Sequence, residues 1–209
     1  MNINMVILTK SSKFGQYCVA GIDCRTGKWV RLVSTDESTH GAIALGDLRF
    51  ENGQYANLLD VINVRIIGSD NNPAQPENVI IDRDYYLGYV KTISIAEALE
   101  LYKDSEPQFI FGNSSYCLDE ETVPLLGRSL SLVVVKNLCF KQQVNDEDKP
   151  KTKLSFDYNG FSYSNMSVTD PRFYSVEDGT EFDEAVLVVS IGTPFRGNCY
   201  KFVAAIYPL

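Results

Sequence analysis

The chain has 209 residues, which allows one large domain or two small ones. Its formal net charge of −8 argues against binding long nucleic acid regardless of sequence, because such binding usually needs a basic face. The five cysteines are scattered, there is one histidine, and no apolar run is long enough to span a bilayer. We therefore expect a cytoplasmic protein with no signal peptide, metal, cofactor or membrane partner.

Short strands dominate the first half of the sequence. Apolar and β-branched runs predict strands over 4–9, 17–23, 28–34, 57–68, 78–82 and 86–93. The segment 24–27 reads as a hairpin turn, because Gly27 can take a positive φ. The clearest helix is predicted over 94–103, where Ser94 and Glu97 have the spacing of a capping box.

The second half continues the strand-rich pattern. A strong strand is predicted over 129–139. Further on, Asn159-Gly160 lies between alternating residues and predicts a type I′ hairpin in which Tyr158 faces Phe161.

The last part of the chain predicts a turn followed by a buried hairpin. Asp170 and Pro171 suit the cap and the first position of a short helix. The apolar runs 186–191 and 200–207 then predict two strands inside the fold. Alternation places four residues of the second run on one face, namely Tyr200, Phe202, Ala204 and Ile206.

The order of these elements predicts a mainly β protein. Strands do not alternate with helices, so a doubly wound sheet is disfavoured and two small β-barrels in tandem fit better. We assign the first barrel to residues 1–93, a helix and irregular connector to 94–127, and the second barrel to 128–209.

Three stretches resemble a known family. They are YCVAGIDCRTGKWVRLVS at 17–34, VTDPRFY at 168–174 and SIGTPFRGNCYKFVAAI at 190–206. Together they are similar to motifs of the dual OB-domain family, whose prokaryotic members are often linked with antiviral conflict systems. The resemblance implies two OB-like barrels and a role in binding nucleic acid or a nucleotide. It implies no catalytic residues.

The first hairpin contains a candidate binding surface. Trp29 and Arg31 share one face of the predicted strand 28–34, where a base could stack on the indole and a phosphate could contact the guanidinium. The alternative is that Trp29 belongs to the core and Arg31 pairs with a carboxylate, since most large aromatic residues on strands are packing residues.

The Asn-Gly hairpin contains a second candidate. It has four aromatic residues on one face, namely Phe156, Tyr158, Phe161 and Tyr163. The nearby Lys149, Lys151 and Lys153 add positive charge, although the acidic residues 146–148 largely cancel it. The alternative is a hairpin stabilised by its own cross-strand pairs, beside a solvated loop.

The loop before the last strand is the preferred site. Phe195 could stack on a ring and Arg196 could bind a phosphate, while the flanking glycines allow close approach of a ligand to the backbone. Tyr200 and Lys201 follow at the start of the strand, and Arg172 joins the site if the fold brings it near. The alternative is a purely structural turn.

These observations favour a binding module over an enzyme. The single histidine lies in a polar loop and no phosphate-binding loop motif occurs, so we expect no catalytic residues. The expected partner is single-stranded nucleic acid or a nucleotide, held by stacking and by a few Arg or Lys contacts. The alternative is a protein-interaction adaptor in an antiviral defence or counter-defence system, because exposed aromatic residues on an acidic surface suit that role as well.

Overall fold

The computed structural model describes residues 1–13, 15–104, 108–144 and 150–209. The chain divides into two compact units, Met1–Asp104 and Ser105–Leu209. The connector that we assigned to 94–127 is therefore shared between the units, with its helix in the first. No helix in the described part of the chain is long and apolar enough to cross a membrane.

The first unit is a closed β-barrel with an added strand and a helix. Its elements are β1 (Asn2–Lys13), β2 (Gln16–Asp23), β3 (Trp29–Val33), β4 (Asp60–Ser69), β5 (Asn78–Ile81), β6 (Gly88–Thr92) and α1 (Ile95–Leu101). Five strands form a ring in the order β1-β2-β3-β5-β4, and β4 pairs back with β1. The contact between β3 and β5 is parallel and the others are antiparallel.

The second unit has the same connectivity. Its strands are β7 (Cys117–Asp119), β8 (Leu130–Val144), β9 (Pro150–Tyr158), β10 (Phe161–Val168), β11 (Glu181–Ile191) and β12 (Asn198–Pro208). The ring runs β8-β9-β10-β12-β11 and returns to β8, and again the third and fifth strands pair in parallel. Both units thus have the five-stranded barrel arrangement of OB folds, which confirms the predicted tandem.

Local sequence signals explain several of these elements. Asn159 and Gly160 have φ values of 49° and 80°, as a type I′ turn requires, and Tyr158 pairs with Phe161. At the start of α1, Ser94 Oγ accepts a hydrogen bond from the Glu97 amide at 3.2 Å, and the Glu97 carboxylate accepts one from the Ser94 amide at 2.7 Å. The predicted hairpin and the predicted capping box are therefore both present.

The closing hairpin, β11 with β12, lies in the core of the second barrel as predicted, but the faces of β12 differ from the prediction. Tyr200 and Phe202 are half-buried and point outward, whereas Lys201 is only 1% exposed and points inward. Farther along β12, Val203 pairs with Val189 and Ala205 pairs with Val188, so Ala204 is an extra residue between two consecutive pairs. The prediction that alternate residues of 200–207 share one face is therefore wrong, because the bulge interrupts the two-residue alternation of side chains along the strand.

Candidate ligand-binding cleft

A cleft of about 500 Å³ opens on the second barrel, between β9, β10 and β12. Its lining residues are Tyr116, Gln143, Lys151, Lys153, Asn165, Ser167, Phe195, Tyr200, Lys201 and Phe202. Of the residues that the structure describes, this lining includes three lysines and no carboxylate. In OB folds the second and third strands, together with the loop between the fourth and fifth, form the usual ligand surface. Here these elements are β9, β10 and the loop 192–197.

Two tyrosines form the aromatic part of the cleft. The rings of Tyr116 and Tyr200 are stacked, with centroids 6.1 Å apart and planes inclined by 20°. Tyr116 is 52% exposed and precedes β7, which pairs with the first residues of β12 and thereby places the two rings together. Sequence reasoning missed Tyr116, because it lies in a segment that reads as an irregular connector. The stacked pair leaves ring surface available to a planar ligand.

Two lysines form the cationic part. Lys151 and Lys153 are two residues apart on β9, so both point outward into the cleft. The Lys153 ammonium donates a hydrogen bond to Ser167 Oγ at 2.7 Å. Burial and, to a smaller extent, the nearby Lys151 lower the pKa of Lys153. The neighbouring Lys149 and the acidic residues 146–148, which we expected to cancel this charge, lie outside the described residues.

Phe195 and Arg196 lie in the loop at the edge of the cleft. Phe195 is 58% exposed, and the Arg196 guanidinium lies over its ring, 5.2 Å from the centroid. The loop turns sharply here, since Phe195 and Asn198 exchange backbone hydrogen bonds and Arg196 and Gly197 both have positive φ. Both side chains are therefore presented to solvent beside the cleft, and their role in binding stays a prediction.

Lys201, which we expected to contact ligand, is held inside the barrel. Its ammonium donates to the backbone oxygens of Ile110 and Asn113 and to Asn113 Oδ1, each at 2.7 Å. An ammonium has three N–H donors, and these acceptors use them all. The Lys201 backbone amide also donates to the Tyr116 carbonyl at 2.8 Å. Lys201 therefore fixes the segment that presents Tyr116, and its charge is directed away from the cleft.

Arg172 lies at the far end of β12. Its guanidinium pairs with the buried Asp170 at 2.7 Å and donates to the Ile206 carbonyl at 2.8 Å. Ile206 is six residues beyond Tyr200, which corresponds to about 20 Å along a strand. The structure thus does not bring Arg172 to the loop of Phe195. Through these contacts, the VTDPRFY segment holds its turn against β12 instead.

Trp29 and Arg31 are both buried in the first barrel. Trp29 is 6% exposed and its ring meets the edge of Tyr102 at 5.8 Å. Arg31 is also 6% exposed and pairs with the equally buried Glu77 at 3.2 Å. The two residues do not form the surface that the predicted platform requires. The alternative, a core indole and a paired guanidinium, is the arrangement observed.

Three of the four aromatic residues of the Asn-Gly hairpin are core residues, whereas Phe161 is half-buried and its ring packs against Phe109 at 4.4 Å. Phe156, Tyr158 and Tyr163 are between 0% and 9% exposed, and Phe156 and Tyr163 stack at 5.2 Å. The Tyr163 hydroxyl accepts from the Ile110 amide and donates to the Asn113 carbonyl. The face that we considered for stacking bases therefore supports the same 110–113 segment as Lys201. Within the described residues, no three His, Cys, Asp or Glu side chains are grouped as metal ligands.

Comparison with known proteins identifies one family. The model of the dual OB-containing domain matches residues 3–206, and so covers both barrels. No curated protein and no solved structure matches the chain significantly.

Proposed function

Because the chain belongs to the dual OB-containing domain family, we propose that its second barrel binds short single-stranded nucleic acid or a nucleotide. The cleft between β9, β10 and β12 is the proposed site. The observation that carries this proposal is the combination, on the usual ligand surface of an OB fold, of stacked tyrosines with lysines and, among the described residues, no carboxylate.

Each part of the cleft matches one part of such a ligand. Base stacking on an aromatic side chain is worth about 1–3 kcal/mol per base, and it tolerates any base because every base has a π face. Lys151 and Lys153 supply positive charge for phosphate. The chain as a whole carries a net charge of −8, so a lining with no carboxylate among its described residues differs from the acidic character of the chain. A cleft of about 500 Å³ suits a short ligand better than a long strand.

Fluorescence polarisation with labelled hexanucleotides tests the proposal. Tyr200→Ala removes one stacking ring and should weaken binding by about fivefold to 150-fold, which corresponds to the stacking energy above. Tyr86→Ala is the matched control, because Tyr86 is an exposed tyrosine of the first barrel, 61% accessible. Binding should also weaken as salt is raised, since phosphate contacts release counterions. Failure of the wild type to bind any hexanucleotide or free nucleotide would overturn the proposal.

A protein-interaction adaptor is the second candidate, and one observation favours it. All five residues of β6 are exposed, and the strand and its approach carry Tyr85, Tyr86, Tyr89 and Val90 at 47–61% exposure. Tyrosines of this kind are enriched at protein interfaces. Under this candidate, Tyr86→Ala weakens binding of a protein partner, and raising the salt concentration does not. Tyr200→Ala has no effect on that binding. A place in antiviral defence or counter-defence is a prediction for either candidate.

A further inference from the structure

We infer that Asn165 reads the base of the bound ligand through its side-chain amide. The inference rests on the proposed function, and it narrows the ligand to a molecule with a nucleobase edge rather than any aromatic anion. Asn165 lies on β10, is exposed, and lines the cleft.

The backbone places Asn165 in an unusual position. The pairing of β10 with β9 shifts register between Tyr163 and Met166, and Asn165 within this bulge has a φ of 57°. Left-handed backbone is costly for most residues but is tolerated by asparagine. Bulges of this type re-aim a side chain and are common beside functional sites. The backbone N–H of Asn165 donates to Ser155 Oγ at 3.5 Å on the adjacent strand.

A second bulge in the same barrel provides a contrast. Asn137 on β8 has a φ of 54° at a register shift between Lys136 and Cys139. Its side-chain amide donates to Asp157 at 2.8 Å, so this asparagine is committed to the fold. The Asn165 side chain has no hydrogen-bond partner in the described part of the chain, and it faces the cleft instead.

Asn165 lines the same cleft as the aromatic pair. Ser167 on β10 is paired in parallel with Phe202 on β12, and Asn165 and Tyr200, each two residues earlier on its strand, both line the cleft. Lys153 lies opposite Ser167 on the other side. A ring stacked on Tyr200 would therefore present its edge to Asn165 while a phosphate reaches the lysines.

The chemistry of the amide defines what can be read. An asparagine amide offers one acceptor and two donors, so it can make one accepted and one donated bond to a base edge. An aspartate in the same position is nearly the same shape but only accepts when ionised. It can still accept from the exocyclic amino groups of adenine, cytosine and guanine, but it cannot donate to a carbonyl oxygen, and uracil has two carbonyls and no amino group.

Competition binding with four 5′-phosphorylated trinucleotides, of adenosine, cytidine, guanosine and uridine, tests the inference. For Asn165→Asp, the affinity of the uridine trinucleotide should fall about tenfold or more relative to the other three. Asn165→Gly keeps the left-handed backbone and removes the amide, so it should weaken all four by a similar factor. Circular dichroism should show that both variants fold.

The outcomes separate this inference from the proposed function. Equal weakening of all four trinucleotides by Asn165→Asp would reflect only its added negative charge and would overturn the inference. Unchanged affinity of both variants would overturn it too, although Tyr200→Ala could still show that the cleft binds. If no trinucleotide binds the wild type, the proposed function and the inference fail together.

Discussion

The Arg31–Glu77 ion pair offers a quantitative test of how the first barrel is held together. The two side chains are 8% and 5% exposed, and the Arg31 backbone amide also donates to the Glu77 carbonyl at 2.9 Å. Arg31→Met removes the guanidinium and leaves the Glu77 carboxylate buried, which typically costs about 3–5 kcal/mol. With a urea dependence of about 2 kcal/mol per molar for a domain of this size, the unfolding midpoint should fall by about 2 M.

The single tryptophan makes this measurement specific to one barrel. Trp29 is the only tryptophan of the chain and lies in β3, so its fluorescence reports unfolding of the first barrel. The double variant Arg31→Met/Glu77→Met replaces the pair with apolar groups and should recover most of the loss. Ligand binding by the folded second barrel should be unchanged. An unfolding midpoint for Arg31→Met that is less than about 0.5 M below the wild-type midpoint would refute the reasoning that the buried Glu77 carboxylate depends on Arg31.

Two further predictions concern the second barrel. Lys201→Met leaves the Ile110 carbonyl without its ammonium donor; it should cost about 1–3 kcal/mol, seen in thermal unfolding, and should weaken ligand binding by freeing Tyr116. If Lys201→Met is destabilised but binds the ligand with unchanged affinity, Lys201 stabilises the barrel without positioning Tyr116 for binding. Because its pKa is lowered, Lys153 should lose its proton below the ordinary lysine value of about 10.4, so affinity for an anionic ligand should fall as the pH rises towards that value. Lys153→Arg should abolish this fall in polarisation assays, and an identical pH profile for both proteins would argue against the assignment.

Features set by neighbouring residues were predictable from the sequence. The Asn159-Gly160 turn and the Ser94–Glu97 capping box each depend on a few adjacent residues with defined backbone preferences. The same applies to the short helix after Asp170, whose carboxylate accepts from the Arg172 amide. The closing hairpin was predictable because its two strands are strongly apolar and close in sequence.

Features set by distant contacts were not predictable. Alternation places Trp29 and Arg31 on one face of β3, but it cannot tell that Tyr102 and Glu77 cover them. Lys201 reads as a surface residue, and only the backbone oxygens of the 110–113 segment, about 90 residues away, explain its burial. Tyr116 enters the candidate cleft because β7 pairs with β12, a contact that no local pattern indicates.

The parallel closure of each barrel has a consequence for biosynthesis. In both units the ring is completed only when the fifth strand joins the third, through β3 with β5 and β10 with β12. The first ring can close once the ribosome has released residues up to Ile81, while translation of the second unit continues. The second ring must wait for 198–208, so β10 and β11 each keep one edge unpaired until β12 is made, and they are the strands of the second unit that most need protection until then.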